Sequence, residues 1–240
     1  EKDMTGEENA VTEVSKAIQE TAKTSGKAID AVRSLCGFVA EITSGSITQA
    51  VGIVEDKLAY MRWERQVRFI KRAEALFKEL GLPSYRRPVP MSIAIPLLQS
   101  AFLEEDDELQ DVWAQLLANA ANANYKREIR RTYISILQDL ISLDARIMQK
   151  LLTVPEQYLM KPIFTYELPD RFIFEMPEGE RRFPDHAVLV SLANLARLGL
   201  ITGTMLISGA ILFNEILPTK LGYDFILACT VHKEDGPTII

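Results

Sequence analysis

One apolar stripe in the middle of the chain constrains the fold more than any other feature. Its residues recur at intervals of three and four positions: Leu109, Val112, Trp113, Leu116, Leu117 and Ala120. This spacing places all of them on one face of an α-helix, a face that other parts of the chain must cover. An acidic run precedes the stripe, where a helix dipole favours negative charge, and Asp107 and Gln110 have capping-box spacing. The segment therefore predicts a helix packed into the core of a helical protein.

Several other segments share this helical periodicity. Apolar residues keep it through residues 11–35 and 47–80, and then in three shorter stretches before residue 152. The expected N-cap of the last stretch is Ser142, and Pro96 fits its helix only in the first turn. The chain has 240 residues, of which 48% are hydrophobic, so it can bury one large or two small cores.

The C-terminal third has a different texture. Prolines punctuate the chain after residue 153, and two short β-prone runs there predict at most a marginal hairpin across Pro169 and Asp170. A helix then begins near Asp185, two strands meet at a turn, and Thr219 caps a last helix, an order that resembles a winged-helix domain. The predicted architecture is mainly α, with long N-terminal helices (1–88), a helical core with the acidic and Trp motif (89–152), a Pro-rich connector (153–184) and a small winged-helix-like α+β module (185–240).

Charge is sorted along the chain. Residues 56–88 carry 9 basic and 4 acidic side chains, whereas residues 89–125 carry 6 acidic side chains and no basic ones. Guanidinium groups bind phosphate and carboxylate, so an arginine row on one helix is a candidate site for an anionic partner. The alternative is a solvated face whose charges pair with the acidic block. A nucleic-acid site, suggested by interleaved aromatic residues, is a less specific third interpretation. The row consists of Arg62, Arg65, Arg68 and Arg72.

No set of residues in the chain has the spacing of a known catalytic motif. There is no nucleophile elbow and no Gly-rich phosphate loop. Cys229 and His232 have a metal-like spacing, but a structural zinc needs four ligands and only Cys36 and His186 remain. The acidic run 104–108 offers oxygen ligands for a divalent cation, although one run rarely supplies them from enough directions. We therefore expect no enzyme activity, no metal and no cofactor.

Net charge and cysteine use bear on where the protein acts. The formal charge of −6 gives no overall attraction to nucleic acid or to anionic membranes. Residues 185–240 hold 3 basic and 5 acidic side chains, so specific DNA binding by the module is not expected. Two distant cysteines and a polar, acidic start without a secretory signal indicate the cytoplasm, with Met4 as the candidate natural start. Residues 31–54 are apolar, but polar interruptions leave them short of a membrane span.

The segment FLEEDDELQDVWAQLLANA at residues 102–120 resembles the hallmark of the abortive-infection alpha family. Shorter matches lie at residues 22–28, 143–145, 195–201 and 221–222, so the resemblance covers most of the chain. It implies a bacterial or phage-associated protein linked to defence by infection-triggered arrest, and it implies no catalytic residue. Helix capping and core packing explain most of the motif's distinctive residues, which are Glu104, Asp106, Asp107, Leu109, Gln110, Trp113, Leu117 and Asn119.

The expected function is that of a non-enzymatic antiphage protein that binds a protein partner, a phage-encoded one included, and forms a homo-oligomer. A helix through residues 47–80 is longer than one small core needs, and symmetric homo-oligomers are common. An intramolecular alternative is that residues 11–35 fold back along this helix and cover it. A second class of function is a membrane-active effector that lays residues 31–54 on a bilayer. A DNA-binding regulator is a distant alternative.

Overall fold

The computed structural model describes residues 27–53, 63–82, 86–154, 161–175, 182–206 and 208–231. These residues form two compact units, one of the described residues up to Ile134 and one of Ser135–Thr230. The helices are α1 (Lys27–Thr43), α2 (Ile47–Ile53), α3 (Trp63–Glu79), α4 (Met91–Leu103), α5 (Asp107–Ala121), α6 (Arg131–Gln138), α7 (Ser142–Leu152), α8 (His186–Arg197) and α9 (Lys220–Ala228), and the strands are β1 (Ile163–Phe164), β2 (Ile201–Met205) and β3 (Ile211–Pro218). The predicted class, mainly α with a small C-terminal α+β module, is confirmed.

Helix α5 lies in the core of the first unit, as its apolar stripe predicts. It packs against α3 and α4, and all six residues of the stripe are buried. Phe69 of α3 and Phe102 of α4 meet edge to face, with ring centroids 5.7 Å apart. The burial of large side chains on three helices is the main source of stability for such a core, because apolar area removed from water contributes roughly 25 cal/mol per Å².

Helix α1 differs from the prediction at its end. It runs to Thr43, beyond the predicted end at residue 35, and passes through Gly37. Val39 and Ile42 are buried, and Phe38 stacks on Phe77 of α3. Packing of these side chains outweighs the cost of one glycine, about 1 kcal/mol in a helix interior.

Parts of the predicted N-terminal helices lie outside the described residues. These parts are residues 11–26 of the first helix and residues 54–62 of the second. Within the described part, α1 packs against α3, which is the kind of contact that the fold-back alternative describes. None of the described helices combines the length and the apolar character needed to cross a bilayer.

Two helix starts also differ from the prediction. Pro96 lies in the second turn of α4 and not in the first, since the helix already begins at Met91. Ser142 is the first residue of α7 and not its N-cap, which is Ile141. The Asp144 carboxylate accepts a hydrogen bond from the Ile141 N–H at 3.1 Å and thereby satisfies a donor that the helix leaves free.

The second unit is built on a three-stranded antiparallel sheet in the order β1–β3–β2. Strand β1 comes from the predicted connector and pairs Ile163 with Ile216 of β3. The hairpin of β2 and β3 turns at Gly209, whose φ of 82° lies in the region that glycine tolerates best. Asp185, near which the sequence predicted a helix start, caps α8, and Thr219 caps α9 as predicted.

The division between the units falls after Ile134, inside the segment predicted as one helical core (89–152). Helix α7 accounts for this position, because it packs against α8 and α9 of the second unit.

Candidate interaction site

The acidic motif is shaped first by hydrogen bonds to its own backbone. One Asp106 carboxylate oxygen accepts from the N–H groups of Glu108 and Leu109, at 2.9 and 3.0 Å. Glu104 accepts through its carboxylate from the next two N–H groups and through its carbonyl from the Gln110 side chain, at 2.8 Å. These bonds fix the loop between α4 and α5. The N-cap is therefore Asp106, one residue before the Asp107 of the predicted capping box.

Three other acids, Glu105, Asp107 and Asp111, face the arginine row of α3. Arg65 forms an ion pair with Glu105 and also donates to the Leu103 carbonyl at 3.0 Å. Arg68 lies 3.3 Å from an Asp107 carboxylate oxygen.

Arg72 makes the most contacts of the described arginines in the row. Its two Nη groups lie 2.6 Å from carboxylate oxygens of Asp107 and Asp111, and it donates to the Asp107 carbonyl at 2.7 Å. Arg62, the fourth arginine of the candidate site, lies outside the described residues. The structure thus brings three of the four predicted arginines onto the acidic motif itself.

The chain already neutralises the charge of this arginine row. Three guanidinium groups face three carboxylates, those of Glu105, Asp107 and Asp111. The carboxylates are exposed, between 60% and 75%, so each pair contributes at most about 1 kcal/mol and is screened by salt. An anionic partner would have to displace these carboxylates. The pairs align α3 with the start of α5 rather than offering free positive charge.

The apolar half of the motif lies in the core. Leu109, Trp113 and Leu117 are buried, and Trp113 is only 1% exposed. The Trp113 indole N–H has no hydrogen-bond partner in the described structure, and neither has the Gln110 side-chain oxygen. Trp113 therefore acts through its volume rather than through a polar contact. Asn119, the last distinctive residue of the motif, is also buried near the end of α5.

Three of the four soft-ligand residues, Cys36, Cys229 and His186, lie within the described part of the chain. Cys36 and Cys229 are both buried free thiols, and they belong to different units. Burial raises the pKa of Cys36 to about 11 and raises the pKa of Cys229 further, because desolvation disfavours the thiolate. His186 is exposed at the start of α8, and His232 lies outside the described residues. Among the described residues, no three His, Cys, Asp or Glu side chains form a group suited to a metal ion.

The hairpin of the second unit has an exposed apolar tip that was not predicted from the sequence. Met205 and Leu206 at the end of β2, and Ile211 at the start of β3, are 71%, 41% and 50% exposed. Met205 and Ile211 are directly paired across the two strands, so their side chains are neighbours. The signal was present in the sequence, because large apolar residues flank a turn that polar residues would usually flank. We call these three residues the hairpin tip.

The family resemblance can be set against this geometry. A family model described as "Abortive infection alpha" matches residues 64–229, which includes three of the four arginines of the row, the acidic motif and the helix–hairpin–helix module. The chain belongs to the abortive infection alpha family. No curated protein and no solved structure matches the chain. Family membership implies a role in abortive infection, that is, in defence against phage.

Proposed function

We propose that this protein is a non-enzymatic antiphage protein that acts in the cytoplasm through protein–protein contact and self-assembly, with the hairpin tip as the contact surface. The observation that supports the proposal is the exposure of three large apolar side chains, Met205, Leu206 and Ile211, on one hairpin. Exposed apolar residues scattered singly are ordinary, but contiguous exposed apolar patches mark interaction surfaces.

The N-terminal helices are less suited to this role than the sequence pattern suggested. The apolar residues of α3, among them Phe69, Ile70 and Phe77, are buried within the first unit. The same holds for Leu35 and Ile42 in the described part of residues 31–54. These side chains are used inside one chain, so they leave little apolar surface for a second copy or for a bilayer.

The charge pattern around the tip favours a second copy of this chain as its first partner. Residues 198–214 contain no charged side chain, in a protein whose net charge is −6. Two copies can therefore meet at this hairpin without bringing like charges together there. In a two-fold symmetric dimer the same patch of each copy forms the interface, so the apolar hairpin tips of two copies can cover each other.

Light scattering of purified protein tests the self-assembly directly. Wild-type protein at tens of micromolar should be a dimer or larger, and the double variant Met205→Gln/Leu206→Gln should be a monomer. Met91→Gln is the matched control, because Met91 is an exposed methionine of the other unit. A wild-type monomer, or a double variant that assembles as well as the wild type, would refute self-assembly through the tip.

The alternative of a membrane-active effector is separated by a vesicle experiment. A membrane role of residues 31–54 would require both the wild-type protein and the tip variant to float with anionic phospholipid vesicles. Protein contact predicts no flotation for either protein. The described structure does not favour the membrane alternative, because the large apolar side chains that it describes within residues 31–54, such as Leu35, Phe38 and Ile42, are buried.

A further inference from the structure

A pocket in the first unit combines cationic side chains with apolar ones. It has a volume of about 670 Å³ and lies among the segment before α4, the end of α5 and the start of α6. Its lining includes Arg87, Arg130 and Arg131 together with Ile93 and Ile129. Ligand pockets in proteins commonly measure about 300–1,000 Å³, so the space suits a small organic molecule.

Arg87 is positioned by the end of α5. Its backbone N–H donates to the Ala121 carbonyl at 2.8 Å, and its Nε donates to the Ala120 carbonyl at 3.0 Å. Within the part of the chain that the structure describes, its two Nη groups have no acceptor. A guanidinium fixed through Nε leaves its remaining N–H groups available to bind two oxygens of a phosphate or carboxylate.

Arg130 and Arg131 lie at the N-terminus of α6, where a helix usually has acidic residues. Neither arginine forms an ion pair among the described residues, and the first turn of α6 contains no acid. The partial positive charge of the helix N-terminus adds to the charge of both guanidinium groups. This concentration of positive charge is unfavourable without an anion, and a bound anion would relieve it.

Helix α4 begins at the same pocket, and its start lacks a side-chain cap. Pro90 precedes it and offers no side-chain hydrogen bond, and the first turn contains no acidic residue. The N–H groups of Met91 and Ser92 have no acceptor within the helix, as in any first turn. Glu128 is the acidic residue in the lining, and it forms no ion pair in the described structure.

We propose that this pocket binds a phosphate-bearing small molecule of nucleotide size. Its phosphates would contact Arg87, Arg130 and Arg131, and its base would pack against Ile93 and Ile129. Three guanidinium groups and two helix N-termini suit a multiply charged anion better than a single carboxylate. The proposal is independent of the hairpin tip, which belongs to the other unit.

Calorimetric titration with ATP, AMP, adenosine and inorganic phosphate tests the pocket. ATP should bind most tightly, AMP more weakly, and adenosine most weakly, because the phosphates meet the arginines. The double variant Arg130→Gln/Arg131→Gln should weaken ATP binding about tenfold to hundredfold, the usual effect of losing charge-assisted hydrogen bonds. Both residues are exposed, so the variant should fold as the wild type does.

A control variant separates local binding from general charge. Arg68→Gln/Lys71→Gln also removes two positive charges, but it removes them from α3, and neither residue lines the pocket. Its affinity for ATP should lie within about twofold of that of the wild type. ATP should raise the melting temperature of the wild type and of this control, but not that of the Arg130→Gln/Arg131→Gln variant. The proposal is overturned if ATP gives no signal at about 1 mM, if both double variants weaken binding equally, or if adenosine binds as tightly as ATP. Tighter binding of a single-stranded oligonucleotide than of ATP would also overturn it, in favour of nucleic acid.

Discussion

Truncation of Trp113 is the most informative test of how the motif works. Its side chain is 1% exposed between helices of the first unit, and its indole N–H has no partner. A buried tryptophan removes about 200 Å² from water, which at roughly 25 cal/mol per Å² amounts to about 5 kcal/mol. Alanine retains the Cβ, so we expect Trp113→Ala to lower the free energy of unfolding by about 4 kcal/mol, within the usual range for such truncations.

Urea unfolding followed by circular dichroism measures this loss. Trp113→Phe is the matched control, because it keeps an aromatic ring in the core and removes a smaller part of the buried volume, together with an N–H group that bonds to nothing in the described structure. The control should cost much less than the alanine variant. A loss below about 1 kcal/mol for Trp113→Ala would mean that this side chain is not a core residue. Equal losses for both variants would mean that the loss of stability does not follow the volume removed and that the packing argument is wrong.

Four smaller predictions follow from single contacts. Asp106→Ala removes the N-cap of α5 and should cost about 1 kcal/mol in unfolding free energy, measured by urea denaturation. Arg72→Ala should lower the free energy of unfolding by less than about 1 kcal/mol, because the ion pairs of Arg72 are exposed. Raising the salt concentration to about 1 M should shrink the difference between variant and wild type, and a loss that salt leaves unchanged would contradict this. Gly222→Ala should strongly destabilise the second unit in a thermal melt, because a Cβ there would collide with the carbonyl of Leu200; an unchanged melting temperature would contradict the close approach. The raised thiol pKa values predict that Cys36 and Cys229 resist alkylation in the folded protein. They also predict that stability falls as pH rises above about 9, because only the thiols of the unfolded chain ionise there. Rapid labelling of the native protein at neutral pH, detected by mass spectrometry, would show instead that the thiols are accessible.

Local sequence signals predicted the elements whose causes are local. The stripe of α5 was identified by spacing alone, the cap Thr219 by residue type and position, and the start of α8 was placed near Asp185. The cap of α5 was misplaced by one residue, because several consecutive acids can each accept the first N–H groups. Only the backbone conformation at Asp106, with ψ near 128°, decides among them.

Features that depend on distant residues were not predictable in the same way. Strand β1 contains two residues and exists because it pairs with β3, some fifty positions later in the chain. The pairing of Arg72 with Asp107 and Asp111 was weighed only as one of several interpretations, since sequence does not give the angle between α3 and α5. The pocket proposed to bind a phosphate-bearing molecule is formed by three segments that meet only after folding, and none of these segments has a recognisable motif.

Helix α1 illustrates how tertiary packing overrides composition. The sequence predicted a helix that ends at residue 35, and it offered residues 31–54 as a surface that could lie on a membrane. The structure instead uses Phe38, Val39 and Ile42 to pack the helix into the first unit. A pattern of small residues therefore indicates close packing without indicating what the packing partner is.

Phage challenge of cells that express the hairpin-tip variant tests the proposed function most directly. The measurement is the plating efficiency of a phage that the wild-type protein restricts, at matched expression levels of wild type, Met205→Gln/Leu206→Gln and Met91→Gln. We predict that the double variant loses protection, while the Met91 control retains it. Full protection by the soluble, normally folded double variant would contradict a function that acts through contacts of the hairpin tip.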